Sequence, residues 1–143
     1  CVNPLGDVCT DAVPINPGGG PVNYQDPMID LSRLTSTISY TSTICSGVGT
    51  SVGTLGPEKY YKVIIPPGGT MQAMVDSTSV EPFLILWSSC STTNSCIAGD
   101  GTFNGNDAML TYQNNSTVPD EVILIADTYD NNGTDINVSI SVQ

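Results

Sequence analysis

Histidine is absent from this chain of 143 residues, and lysine and arginine together number only three. The missing imidazole removes Ser–His–Asp and Cys–His nucleophilic catalysis, most zinc sites and any acid–base step tuned near neutral pH. The missing cations leave 14 Asp and Glu almost unopposed, giving a formal charge of −11 and a pI near 4.1. Such a surface repels phosphate, which excludes nucleic-acid binding. Charged residues make up 12% and apolar ones 39% of the chain, both below the usual ~25% and ~45–50%. Serine and threonine fill the difference. No apolar run is long enough to span a membrane, no segment sustains a 3.6-residue period, and no internal repeat is visible. The apolar strand formers that are present are too many for a disordered chain, and the length is that of one domain.

Five cysteines, none in a CxxC or other metal-binding spacing, read as a disulfide framework in an oxidising compartment. Cys90 and Cys96 flank a short polar loop, Ser91 to Ser95, which a disulfide would close for roughly 2 kcal/mol. Cys9 and Cys45 form the natural second pair, tying the N-terminal segment to the first long strand for roughly 4 kcal/mol. Cys1 is then left over. No initiator Met, signal peptide or tag precedes it, as expected of a processed natural chain. Three fates are open to it: a lipidated terminal cysteine, a bridge to another subunit, or a plain terminal thiol. Lipidation would anchor the protein to a membrane without spanning it.

Residues 1–30 are broken by Pro4, Pro14, Pro17, Gly18 to Gly20, Pro21 and Pro27, so they read as an extended arm. Only Ala12–Ile15 and Met28–Leu31 suit short strands there, the former on an edge because Pro14 lacks a donor. From residue 34 the pattern becomes β. Ile38, Tyr40, Ser42 and Ile44 alternate with hydroxyl residues, and Tyr61, Val63 and Ile65 alternate with Tyr60, Lys62 and Ile64 before a Pro66–Gly69 turn. Met71, Ala73 and Val75 make a half-buried strand, and Ala108–Tyr112 another. Phe83–Trp87 and Val122–Ala126 are apolar on both faces and so suit central strands covered on both sides. Ile136, Val138, Ile140 and Val142 alternate with polar residues in a terminal strand. The prediction is an all-β antiparallel sandwich, jelly-roll-like, of 7–9 strands. Residues 1–30 form its arm and 31–143 its body, a single domain overall.

The order of these pieces resembles the bacterial pre-peptidase C-terminal domain. The matching stretches are Gly6-Asp7-Val8-Cys9 leading into Ala12–Ile15, then Gly56–Val63, Pro66–Thr70 and Glu81–Leu86. Further on come the Cys90–Cys96 loop with Ile97–Asp100, then Ile123–Asp127 and the closing Ile136–Ile140. The resemblance implies a secreted β-sandwich that follows a catalytic domain without being catalytic. It also implies a role in secretion or in attachment to substrate or surface, sometimes with calcium. The reading expects two departures from that pattern, a domain that stands without an enzyme ahead of it and a longer Pro17–Leu34 insert.

Oxygen ligands crowd two turns: Asp127, Asp130, Asn132 and Asp135 in one, Asp100, Asn104, Asn106 and Asp107 in the other. Calcium takes such ligands, but neither stretch has EF-hand spacing, and Asn, Asp and Gly are also the ordinary residues of turns. The expected state is therefore metal-free, with these as calcium candidates. No carboxylates stand out as a catalytic pair. Sequons at Asn114, Asn115, Asn132 and Asn137 permit glycans. Trp87 ends a doubly apolar strand and belongs to a core before it belongs to a sugar platform. Arg33, Lys59 and Lys62 are too few for a patch and should pair with neighbouring acids.

The expected function is non-enzymatic: an extracellular or bacterial cell-surface structural subunit that self-assembles into a filament, pilus-like fibre or surface layer. Its arm, up to ~100 Å long if extended, would add a strand to a neighbour, anchored by Val2, Leu5, Val8, Val13 and Ile15. The alternative is a secreted or lipid-anchored binding module that attaches to a surface polymer or a partner enzyme. An enzyme or inhibitor is the remaining class.

Overall fold

The computed structural model describes residues 5–36, 45, 57–77, 81–91, 96–101, 107–128 and 135–143. Two sheets face each other. The first holds five strands in the order β1 (Val13–Pro14), β3 (Lys59–Ile65), β8 (Asp120–Thr128), β5 (Pro82–Trp87), β6 (Cys96–Asp100). The second holds four, in the order β2 (Val22–Asp30), β9 (Asp135–Val142), β4 (Thr70–Ser77), β7 (Asp107–Gln113). All pairings are antiparallel except β1 with β3. Among consecutive strands, only β5 and β6 are neighbours in one sheet; every other connection passes from one sheet to the other. That alternation makes the fold a sandwich rather than a meander.

The crossings are built from turn chemistry. Between β3 and β4, the Gly69 amide donates to the Pro66 carbonyl (2.9 Å), with Pro67 and then Gly68 at the corners. Gly68 has φ +71°, which glycine adopts without strain, as a type II turn requires. Asn114 ties this arch to the one between β7 and β8. Its buried amide donates to the carbonyls of Ile65 (2.9 Å) and Val118 (2.8 Å), while its oxygen accepts from the Ser116 amide.

Alternation within the strands fills the space between the sheets. Tyr61, Val63 and Ile65 of β3, with Leu84, Leu86, Val122 and Leu124, meet Met71, Val75, Val138 and Ile140 of the facing sheet. The double apolarity of β5 and β8 is explained by a second cluster on the outer side of the five-stranded sheet. Tyr60, Phe83, Ile85, Trp87, Ile123 and Ile125 pack there with Ala12 and Cys45. Trp87 is 3% exposed and its ring centre lies 6.4 Å from that of Tyr60, so it is a core residue.

The disulfides differ from the sequence-based pairing. Cys9 is bonded to Cys90 and Cys45 to Cys96, so neither the Cys90–Cys96 nor the Cys9–Cys45 bridge forms. The reason lies in the outer cluster. Cys96 sits on β6 opposite Trp87, whereas Cys90 lies in the exposed turn beyond β5. Each therefore holds a different piece of the cover, one Cys9 with its coil, the other the buried Cys45. With sequence separations of 81 and 51 residues, each bridge contributes about 4 kcal/mol in the chain-entropy model. Two disulfides are consistent with an oxidising, extracellular or periplasmic compartment.

Residues 17–30 are more regular than their prolines suggested. Nine of them form β2, which pairs with β9 along an edge. The strand tolerates Pro27 because the register shifts between Asp26 and Ile29, with Met28 at φ 53° inside the bulge. The expected strand over 37–44 lies outside the described residues, as does Cys1.

Two measurements check this architecture. Non-reducing peptide mapping should recover Cys9–Cys90 and Cys45–Cys96 and no Cys90–Cys96 peptide. Leu124→Ala, which opens a cavity in a fully buried position, should lower unfolding free energy by about 2–5 kcal/mol; a loss too small to resolve in a urea titration would contradict the assigned core.

Candidate functional site

The outer face of the four-stranded sheet is not covered by any described residue, and its side chains are read directly from the register. One row crosses all four strands as Asn23, Ser141, Gln72 and Thr111; the next as Gln25, Ser139, Met74 and Met109. Alternation sends these outward because their neighbours Tyr24, Ile140, Ala73 and Leu110 belong to or pack on the core. All residues of the two rows except Thr111 line a shallow depression of about 290 Å³ whose lining includes no ionisable side chain. Met109 is 60% exposed, an apolar tip beside amides and hydroxyls. The third row is different: Asn137 donates to Asp76 (2.7 Å), and Asp107 stands across from Asp76 on β7. Carboxylates thus border one side of a neutral face.

Other acids join Asp76 and Asp107 at the same end. Strand directions bring Asp30, Glu58, Asp76, Glu81, Asp100, Asp107, Asp127 and Asp135 to the end where β2, β4, β6 and β8 finish and β3, β5, β7 and β9 begin. The calcium candidates Asp100, Asp107, Asp127 and Asp135 are all there, whereas Asp130 and Asn132 lie outside the described residues. Asp127 is fully buried, Asp100 accepts from the Met109 amide (2.7 Å), and no three acids among the described residues group closely enough to hold a metal. The three cations pair as expected, Arg33 with Asp30 (3.1 Å), Lys59 with Asp26 (3.8 Å) and Lys62 with Glu121 (3.6 Å).

A second surface feature is the open edge of β3, which the N-terminal segment fills. The Tyr60 amide donates to the Gly6 carbonyl (2.9 Å), β1 pairs with Tyr61 and Lys62, and the Ile15 amide donates to the Lys62 carbonyl (3.0 Å). Asn16 then continues the ladder with its side chain, accepting from the Ile64 amide (2.9 Å) and donating to the Ile64 carbonyl (2.7 Å). Of the proposed assembly anchors, Ile15 is buried in the chain's own core, Val13 packs against it, Val8 is half-buried and Leu5 is exposed. Val2 lies outside the described residues.

Sequence reasoning missed Asn16 and Asn114, because an amide that imitates a backbone unit has no spacing signature. It also read Asn114 as a possible glycan acceptor, whereas its amide is buried and engaged. Asn137 is likewise engaged, with Asp76 and the Met28 amide, while Asn115 is exposed. Asn132 lies outside the described residues. The neutral rows were visible as alternation in single strands, but not as one face, since strand order is not written in alternation.

Three tyrosines titrate abnormally. Burial, and then the Asp26 carboxylate to which it donates (3.0 Å), push the Tyr61 phenol far above its ordinary value. Tyr24, ring-to-ring with Tyr61 at 6.0 Å, is raised by burial and by Asp26. Tyr112 is raised first by its hydrogen bond to Asp120 (2.6 Å), then by burial.

The fold, though not the sequence, has known counterparts. No family model matches the chain, and no curated protein does. The solved structure of the pre-peptidase C-terminal domain of a collagenase from Bacillus anthracis matches over 92% of this chain and 94% of that one, at 15% identity and a TM-score of 0.50. PliG of Aeromonas hydrophila, a periplasmic inhibitor of g-type lysozyme, matches over 92% and 96%, at 13% identity and a TM-score of 0.51. The chain therefore has the fold of the pre-peptidase C-terminal domain, as the motif order suggested.

The tyrosines set an alkaline limit. Each is raised in the fold, so the folded state holds its proton where the unfolded chain begins to lose it, near pH 10. Their contribution is complete below about pH 10 and is lost as pH rises beyond it. The melting temperature should hold from pH 7 to about 9 and fall above 10, less steeply in Tyr61→Phe; a flat profile through about pH 11 would contradict the assignment.

Proposed function

We propose that this domain is a non-enzymatic, extracellular binding module that attaches to a polymeric partner through the neutral face of the four-stranded sheet. One observation carries the reading: in a chain of charge −11, two complete rows across four strands hold no ionisable group. A surface that only had to stay soluble would share its charge more evenly. Neither structural counterpart is named as an enzyme in its own right; one is a domain attached to a collagenase and the other an inhibitor. The reading requires no cofactor, and any lipid or disulfide link at Cys1 would add surface attachment without altering the face.

Self-assembly is the second reading, favoured by the way residues 6–16 fill the β3 edge. That contact is strand addition within one chain, and Pro17-Gly18-Gly19-Gly20-Pro21 follows it as a link that spans up to about 17 Å when extended. Passing the segment to a neighbour would reproduce the same bonds between copies and make Cys9–Cys90 an intermolecular bridge. Repeated head to tail, it would give the filament or surface layer.

Two experiments separate the readings. Wild-type protein should pellet with at least one of insoluble cellulose, chitin or collagen fibrils, and Gln72→Glu should reduce the bound fraction. No pelleting, or pelleting indifferent to the substitution, would overturn the module. Loss of pelleting in EDTA, restored by calcium, would move the contact to the acidic end. Non-reducing denaturing electrophoresis of protein refolded in a glutathione redox buffer reports on assembly: a ladder of multiples of 15.0 kDa supports strand exchange, and a single band contradicts it.

A further inference from the structure

We infer that the neutral face is a glycan site, built to take an extended, uncharged polysaccharide laid across the strands. The inference rests on the module reading above and names the ligand of that same face. It is independent of strand exchange, since residues 5–16 contribute nothing to the lining.

The first argument is spacing. Asn23, Ser141, Gln72 and Thr111 stand on four successive strands, so they recur about every 4.8 Å along a line perpendicular to the strand axes and cover about 14 Å. That step is close to the length of one hexose in an extended β-linked chain. A polysaccharide lying along the row would therefore meet one polar side chain per sugar, in register over four residues. An extended peptide has no such match in this direction, since its side chains repeat on one face at about 6.8 Å.

The second argument is chemistry. Amide and hydroxyl side chains each offer a donor and an acceptor, as a sugar hydroxyl does, so every contact can be made in either sense. The parallel row supplies the apolar complement. Met74 and Met109 are directly paired across β4 and β7. Their thioethers present a polarizable, adaptable surface of the kind that packs on the C–H face of a pyranose. Trp87 and Phe83 are committed to the core, and the exposed large apolar side chain among the described residues of these two rows is Met109.

The third argument is charge. Asp76 and Asp107 close one side of the face, and the whole domain carries −11. A uronate, sulfate or phosphate polymer would be repelled over the Debye length, ~8 Å at physiological salt, whereas a neutral chain loses nothing. Charge therefore selects neutral glycans against the acidic ones.

Affinity electrophoresis tests this on the full chain, whose acidity carries it through a native gel. Gels would contain hydroxyethyl cellulose, barley β-glucan, glucomannan or glycol chitin, with polygalacturonate as the anionic control. Retardation is expected in at least one neutral gel and none in polygalacturonate. Gln72→Glu, which sets a carboxylate in the middle of the row, should weaken retardation at least about tenfold, and Gln72→Ala, which adds no charge, by less. Unchanged mobility in all four neutral gels, or equal retardation of Gln72→Glu, overturns the glycan inference. Pelleting with collagen fibrils alone would leave the module reading standing while removing the glycan. A wild-type dimer in light scattering that Gln72→Glu dissociates would assign the face to a second copy instead.

Discussion

A five-stranded sheet that is apolar on both faces has to be covered twice, and most of the structure follows from that demand. The facing four-stranded sheet covers the inner side, where Leu84, Leu86, Val122 and Leu124 meet Met71, Val75 and Ile140. The outer side has no third sheet among the described residues to cover it. Its cover includes the N-terminal coil with Ala12, and Cys45, held by the two disulfides. At roughly 25 cal/mol per Å² of apolar surface, exposing Phe83, Ile85, Trp87, Ile123 and Ile125 together would cost several kcal/mol, comparable to the whole stability of a small domain. The disulfides therefore join pieces of this outer cover, and do not close the shortest loop the chain offers.

That same arrangement decides which surface is left for function. The five-stranded sheet is enclosed, and its β3 edge is filled by β1 and by the Asn16 amide. The acidic end is a ring of carboxylates around strand termini, several of them used locally, as Asp100 is on the Met109 amide. The remaining broad surface among the described residues is the outer face of β2, β9, β4 and β7, with neutral rows in its middle and acid along one side. A negatively charged protein that keeps charge away from one face leaves that face to partners that need no ion pair, while its field turns anionic ones away.

The fold was largely legible in the sequence because alternation and double apolarity are local signals. Phe83–Trp87 and Val122–Ala126 were recognisable as central strands without knowing what lay on either side, and Pro14 marked an edge. The motif order pointed to the same architecture that the structural counterparts show. The disulfide pairing was not legible, since proximity in sequence favoured Cys90 with Cys96 while proximity in space is fixed by the outer cover. Strand β2 was under-read because its prolines and bulge are permitted on an edge, and edges are a property of the assembled sheet. The neutral face was legible only in fragments. Gln72 and Met74 show alternation within β4, but that Ser141 and Asn23 continue the line of Gln72, and Ser139 and Gln25 that of Met74, is knowable only once β9 lies between β4 and β2. Polar amides that act as backbone, Asn16 and Asn114, leave no pattern at all.

The claim on which the account depends is that one sheet face, and not the acidic end or the β3 edge, meets the partner. An amide NMR spectrum recorded during titration with a neutral β-glucan oligosaccharide tests it residue by residue. The account predicts shifts confined to β2, β9, β4 and β7, largest around Gln72, Met109 and Ser141, with β3, β5 and β8 unmoved. Shifts centred on Asp100, Asp127 and Asp135, along residues 6–16, or nowhere would contradict it.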